Sequence, residues 1–191
     1  MYSLYVNNAV LIGRGLSQVT NLKDKYELTY LRKRCLVKAL KNNIIIHKAT
    51  TEEQWILYHK MLSNVLEYRH SCKPVHTIDE LLLLSHKFPK NIELHLAYKD
   101  DEIVAGTILY LSKPVVHAQY IAASLKGREV GALDFLFDTL MHSDKIKDYK
   151  YFDFGISTLH DGTEFNLGLC HQKEGFGGRG ICYDTYKISI Y

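Results

Sequence analysis

Proton transfer in catalysis needs a group that changes charge near neutral pH, and histidine is the side chain whose ordinary pKa supplies one. Ten histidines are spread along the 191 residues, and most of them must serve as surface or packing residues. His76, His117, His171 and the carboxylate of Glu174 are the candidates for proton removal. His76 closes the polar, proline-broken stretch Arg69-His70-Ser71-Cys72-Lys73-Pro74-Val75. Ser157 and Glu164 stand where they can hydrogen-bond an acceptor, or equally cap a turn. A second kind of chemistry is anion binding. The segment Gly127-Arg128-Glu129-Val130-Gly131-Ala132 opens a helical run, and a helix start offers unpaired N–H groups that a glycine lets a pyrophosphate approach. Glu129 works against that use, and a capped structural helix start fits the same residues.

Metal and disulfide chemistry find less support. Cys35, Cys72, Cys170 and Cys182 contain no Cys-x-x-Cys pair, and His70-x-Cys72 and Cys170-His171 lack a second ligand pair at the usual spacing, so no metal is expected. Cys170 reads either as a nucleophile or as a small buried thiol. Four unpaired thiols suit a reducing, cytoplasmic setting. A net charge of +3 on 24 basic and 21 acidic residues is far from that of a nucleic-acid binder and suits a small anionic ligand. The apolar run Ala9 to Ile12 is too short for a secretory core, and no stretch is long enough to span a membrane.

The elements that must position these residues follow from periodicity. From Lys25 to Lys41, Leu28, Leu31, Cys35 and Ala39 recur at helical spacing among Arg32, Lys33, Arg34, Lys38 and Lys41, which predicts a basic amphipathic helix. Ile44-Ile45-Ile46 reads as a buried strand. Thr50-x-x-Glu53 and Thr77-x-x-Glu80 are capping-box patterns that open two helices, the first carrying Trp55, Tyr58, Leu62 and Val65 on one face. Ile92 to Ala97, Ile103 to Leu111 and Val115 to Ala123 read as three antiparallel strands. Arg128 to Met141 reads as a helix and Tyr151 to Gly155 as a strand after it, so the pair of strands around that helix is expected to be parallel. A short helix from Phe165 to Glu174, the turn Gly175-Phe176-Gly177-Gly178-Arg179-Gly180 and a strand from Ile181 complete the chain. The fold class is α/β (α+β): a mixed, mostly antiparallel sheet flanked by helices.

This order of elements, over roughly residues 44 to 190, resembles the GNAT acyltransferases. The C-terminal segments Tyr151-Phe152-Asp153-Phe154-Gly155, Asn166-x-Gly168-Leu169 and Lys173-x-x-Phe176-Gly177-Gly178 are similar to the second GNAT module of the FemABX-like transferases. Arg32-Lys33-Arg34 with Lys38-Ala39 resembles the basic helix that joins the two modules of that family. The resemblance implies that residues 1–43 are a remnant of the linker, with the first module absent, and that residues 44–191 form the GNAT-like domain. The residue before the motif lysine is Gln172, where the aminoacyl transferases typically carry Phe, and Arg128 to Ala132 matches the GNAT phosphate-binding pattern only loosely.

For the site, the resemblance implies that the strands Val115 to Ala123 and Tyr151 to Gly155 splay around an acyl thioester. Backbone N–H groups near Gln119, Tyr120 and Ile121 would then meet its carbonyl, although Tyr120 and Ile121 read equally as core. Arg128, Gly131 and Ala132 would hold the pyrophosphate of the donor. Lys173 would neutralise a phosphate or the developing oxyanion, its other reading being an exposed lysine beside Glu174. Ser157, Glu164 and Asn166 would meet the acceptor, a small molecule or a cell-wall (glycan) precursor. The expected function is acyl transfer from acetyl-CoA or another acyl-CoA to an amine or hydroxyl. The alternatives are a non-catalytic binding module and an aminoacyl-tRNA-dependent transferase, and apart from that tRNA no nucleic-acid partner is expected. The face left by the missing module suits a homodimer.

Overall fold

A computed structural model describes residues 2–189. In chain order the elements are α1 (Tyr2–Val6), β1 (Val10–Asn21), α2 (Tyr30–Lys41), β2 (Ile45–Lys48), α3 (Glu52–His70), α4 (Ile78–Lys87), β3 (Ile92–Lys99), β4 (Glu102–Ser112) and β5 (Val115–Ala123). They continue with α5 (Leu125–Glu129), α6 (Ala132–Met141), β6 (Tyr151–Ile156), β7 (Thr158–Leu159), β8 (Glu164–Phe165), α7 (Leu167–Glu174) and β9 (Arg179–Lys187). Seven strands form one sheet in the order β2-β3-β4-β5-β6-β1-β9, and β7 pairs with β8 apart from it. Every pair in the large sheet is antiparallel except β5–β6, which is parallel across the α5–α6 crossover, as the strand-helix-strand pattern predicts.

Four details differ from the sequence expectations. The largest concerns residues 1–43, expected as an appended linker: β1 lies inside the sheet between β6 and β9, so the boundary at residue 43 does not separate it from the domain. Its buried stretch is polar, Ser17, Gln18 and Thr20 being at most 1% exposed, and it is held by side-chain hydrogen bonds rather than by an alternating apolar face. The capping box of α3 is Thr51 with Gln54, one residue later than Thr50 with Glu53, because the Gln54 amide reaches back to the N–H groups of Thr50 and Thr51. The box of α4 is Thr77 with Glu80, as expected. The Ile44–Ile46 run is an edge strand in which Ile44 is buried while Ile45 faces solvent. Finally, the helix expected from Arg128 breaks into α5 and α6 at Gly131, whose φ of +75° disfavours any residue with a Cβ.

The core lies on both faces of the sheet. Tyr58, Leu62 and Leu81 of α3 and α4 pack on Leu94, Leu96 and Ile108. On the opposite face Leu136 and Phe137 of α6 meet Leu109, Val116, Phe152 and Phe154. Phe137 is the hub of this second cluster, with ring centroids 5.9 Å from Phe152, 5.1 Å from Phe154 and 5.5 Å from Phe176. Edge-to-face contacts of this kind add to the area term and fix α6, β6 and the turn after α7 to one another. That turn follows Lys173 directly. Among the described residues no helix is long and apolar enough to cross a membrane.

Candidate active site

The cleft is made by two bulged strands that stop pairing. The β5–β6 ladder runs Val115↔Tyr151, Val116↔Phe152 and His117↔Asp153 and ends there. One residue later the register between β4 and β5 shifts, Leu109 facing Ala118 and Ile108 facing Tyr120, so Gln119 is the extra residue of a bulge. On β6 the pairing with β1 shifts from Val19↔Asp153 to Ser17↔Ile156, which leaves Phe154 and Gly155 opposite Gln18, with Gly155 at φ +77°. The buried Tyr58 hydroxyl lies 3.2 Å from both the Gly106 and Tyr120 carbonyls and pins the far side of the β5 bulge. The strands diverge around a cavity of 790 Å³ lined by Ser17, His117, Gln119, Tyr120, Ile121, Asp153, Lys173 and Tyr183 among others. Gln119, Tyr120 and Ile121 line this cavity, and Tyr120 also belongs to the core.

Lys173 closes the open end of the splay. It is 5% exposed, and its ammonium donates to the carbonyls of Gly155 at 2.8 Å and Ile156 at 2.7 Å, on the bulged end of β6. Burial lowers its pKa to about 8, against the opposing pull of Asp153. The reading of Lys173 as an exposed partner of Glu174 is thereby overturned. An ammonium has three N–H donors, so one remains beyond the two carbonyls. Lys173 also lines a second cavity, of 530 Å³, with Ile121 and Phe154, so the two cavities meet between the splayed strands.

The first cavity also holds a group that sequence reasoning did not assemble. The Asp153 carboxylate accepts from the Ser17 hydroxyl, from the Gly155 N–H at 2.9 Å and from His117 Nδ1 at 2.8 Å. Burial by itself would raise the Asp153 pKa, but the hydrogen bonds from His117, Ser17 and Gly155 outweigh it and hold the carboxyl below its usual range. Asp153 stood within a recognised motif and His117 among ten histidines; only the parallel register that sets them opposite one another shows the pair.

The second cavity is basic. Arg32, Arg69 and Arg128 line it with Cys35, Asp134 and Gln172. Arg32 is committed to Asp134 at 2.6 Å, whereas among the described residues neither Arg69 nor Arg128 has a carboxylate within 4.0 Å. Burial and the nearby Arg69 charge hold Arg128 below its ordinary pKa. Gly131 and Ala132, expected to receive a pyrophosphate, are placed elsewhere. α2 lies across them: a Cβ on Gly131 would stand 2.5 Å from the Cys35 carbonyl, and Ala132 is fully buried beside Ala39. The N–H of Gly127 is taken by the Ser124 hydroxyl and that of Gly131 by the Arg128 carbonyl. The glycines serve helix packing, and Arg128 alone of the expected phosphate-binding set faces a cavity.

Other expected site residues have structural partners. His76 Nδ1 is 2.7 Å from the Tyr120 hydroxyl, and Cys72 to Val75 of its loop line the first cavity. His171 is exposed on the rim of the second cavity, and Glu174 is exposed and lines neither. Together with burial, Glu174 raises the pKa of Cys170, a buried thiol that accepts from Gln18 at 3.2 Å. Ser157 is 1% exposed and donates to Gln18, Asn166 caps α7 by accepting from the Leu169 N–H at 3.0 Å, and Glu164 pairs on the surface with His160 at 3.3 Å. None of these three lines the cleft, because each is spent holding the β6–α7 connection. Among the described residues no group of three or more His, Cys, Asp or Glu is placed to hold a metal ion.

The two cavities are thus framed by a mixed sheet that splits at the β5 bulge beside the α5–α6 crossover, with a buried lysine at the split. The chain belongs to the acetyltransferase (GNAT) domain family, whose model matches residues 33–164. The match ends before α7 and leaves Lys173 outside it. No curated protein sequence matches the chain significantly. Among solved structures the chain is similar to FemX, with a TM-score of 0.74 and 11% identity over 96% of this chain and 67% of that one. It is also similar to the C-terminal domain (DUF2156) from Agrobacterium fabrum described as a lysylphosphatidylglycerol synthetase, with a TM-score of 0.69 and 15% identity over 97% and 62% of the two chains. L-PGS from Bacillus licheniformis gives a TM-score of 0.66 and 16% identity over 95% of this chain and 63% of that one. At these identities the likeness is one of fold, and the chain spans about two thirds of each of these structures.

Proposed function

We propose that the chain transfers an acyl group from an acyl-CoA to an amine or hydroxyl acceptor across the β5–β6 cleft. The observation that carries this reading is the meeting of two cavities at Lys173, one basic and one walled by His117, Tyr120 and Tyr183. The donor enters from the basic side, where among the described residues neither Arg69 nor Arg128 has a carboxylate within 4.0 Å. Its thioester carbonyl reaches the bulge at Gln119 to Ile121, and the remaining N–H of Lys173 meets the oxyanion that develops there. The acceptor comes from the larger cavity beneath the Cys72 to Val75 loop. Likeness in fold to FemX and to a lysylphosphatidylglycerol synthetase domain supports a cell-wall or lipid acceptor beside the small-molecule one.

One observation favours a second donor, an aminoacyl-tRNA. The helix start that would cradle the CoA pyrophosphate lies under α2, and α2 presents Lys33, Arg34, Lys38 and Lys41 to solvent. Calorimetric titration at moderate salt separates the donors. Micromolar binding of acetyl-CoA, lost in Arg128→Glu, supports the thioester reading. No binding of acetyl-CoA, with RNA binding that falls steeply as salt rises, transfers the proposal to tRNA. Absence of both leaves a non-catalytic binding module.

A further inference from the structure

We infer that His117 is the proton acceptor of the transfer and that Asp153, anchored by Ser17 and by the Gly155 N–H, is the residue that positions it; this rests on the acyl-transfer reading above. Asp153 is 6% exposed and ionised, and its two oxygens take three donors, of which only His117 can change its charge during a reaction. With Nδ1 bonded to the carboxylate, neutral His117 carries its remaining proton on that nitrogen and leaves the Nε2 lone pair open. Among the described residues no protein group bonds Nε2, and the ring, one third exposed, is part of the wall of the larger cavity.

The other charged or titratable groups around this cavity are already committed or differently placed. Lys173 on α7 donates to two β6 carbonyls, and the Tyr120 hydroxyl on β5 is held by His76. Tyr183 on β9, Lys73 and Cys72 are the remaining titratable groups of the wall. Of these, only His117 combines an open lone pair with a buried counter-charge behind it. The division follows the splay: His117 and Asp153 are the last paired residues of β5 and β6, so the base sits at the apex where the acceptor must stop.

In the step, the lone pair of a neutral acceptor amine attacks the thioester carbonyl and forms the new C–N bond, while the proton on that nitrogen passes to His117 Nε2. The imidazolium is stabilised by Asp153, which stays ionised. Collapse of the tetrahedral intermediate breaks the C–S bond, and the proton on Nε2 goes to the departing thiolate, directly or through water. The products are the amide and the free thiol, with no redox change. A hydroxyl acceptor follows the same path to an ester.

Two measurements on the full chain test the assignment. Steady-state transfer from acetyl-CoA to a panel of amines in His117→Gln should show kcat reduced about 100-fold or more with the donor KM nearly unchanged, and added imidazole should restore part of the rate to His117→Ala. Asp153→Asn should lower kcat about tenfold or more through the wrong tautomer, again with little change in KM. Unchanged kcat in His117→Gln overturns the inference. Carbethoxylation by diethyl pyrocarbonate, mapped by mass spectrometry, reads the Nε2 lone pair whether or not a productive acceptor is found. Rapid labelling of His117, slowed in Asp153→Asn, supports the dyad, and a His117 that resists the reagent overturns it. If the native protein labels at His117 yet transfers from no acyl-CoA, the donor reading fails and the open base stands.

Discussion

Asp153 and Glu93 are both buried carboxylates with lowered pKa values, yet they sit in parts of the sheet that treat charge differently. Glu93 on β3 lies in a long regular stretch of ladder, between two lysines, Lys48 at 2.5 Å and Lys145, and the His95 imidazole at 3.1 Å. Burial pushes its pKa up, but these hydrogen bonds pull it down further, to about 2. Asp153 lies where both neighbouring strands bulge, and its partners are a hydroxyl, a backbone N–H and an imidazole. The first carboxylate is balanced by two lysine ammoniums, which tie β3 to β2 and to the segment after α6. Among the described residues the second has no lysine in contact, and its one ionisable partner is His117. Both carboxylates meet an imidazole, so the difference lies in the lysines: Glu93 has two in contact, whereas among the described residues Asp153 has none.

The sharpest way to break this contrast is to remove the cation at the cleft. Lys173→Ala should reduce kcat/KM for transfer about 10²- to 10³-fold, the cost of losing one preorganised oxyanion donor. Because the lysine titrates near pH 8 and acts as a cation, the native activity should fall as pH rises through that value. The limb is best measured with an acceptor whose own amine titrates well below it, and a flat profile from pH 7 to 9 would remove Lys173 from the charge-stabilising role.

Glu93→Gln probes the other side of the comparison. It should lower stability by roughly 3 kcal/mol, measured by urea unfolding at pH 7, with transfer per folded molecule unchanged. The sign with pH follows from a folded pKa held below the unfolded one. The contribution of Glu93 is complete above its ordinary value of 4.5 and disappears as pH falls towards about 2, so the native and variant proteins should converge in acid. Gly131→Ala should cost about 2 kcal/mol, since it strains a left-handed backbone and drives a methyl into the Cys35 carbonyl, while donor affinity stays as it was. A loss of donor affinity without loss of stability would return this glycine to phosphate binding.

The sequence patterns exposed what depends on neighbours along the chain and hid what depends on pairing across it. Thr77 with Glu80, the three antiparallel strands and the parallel crossover were legible because caps and periodicities are local. β1 was not, since Gly13, Gly15, Ser17 and Gln18 break any apolar alternation and its burial is secured by bonds to Asp153 and Ser157, 136 and 139 residues away. Gly131 looked like a phosphate contact because a glycine at a helix start fits that use, and nothing local reveals that α2 lies over it. Lys173 was legible through its motif, whereas the His117–Asp153 contact required the register of two strands separated by a crossover.

The smallest expected effect is at the entrance of the basic cavity, and it bears on how this chain manages without an open glycine turn. Arg69 at the end of α3 is exposed and Arg128 at the end of α5 is half-buried, and both line the second cavity and the groove beside it. If their side chains replace the missing backbone contacts to the donor phosphates, Arg69→Ala should weaken acetyl-CoA binding about tenfold, or roughly 1.4 kcal/mol, with the difference shrinking at high salt. Binding of acetyl-pantetheine, which carries the thioester without the pyrophosphate, should not change. An equal loss for both ligands would mean that Arg69 shapes the cleft rather than holding the phosphates. No loss for either would leave Arg128 as the phosphate contact on its own, and Arg128→Ala would then have to carry the whole difference between the two ligands.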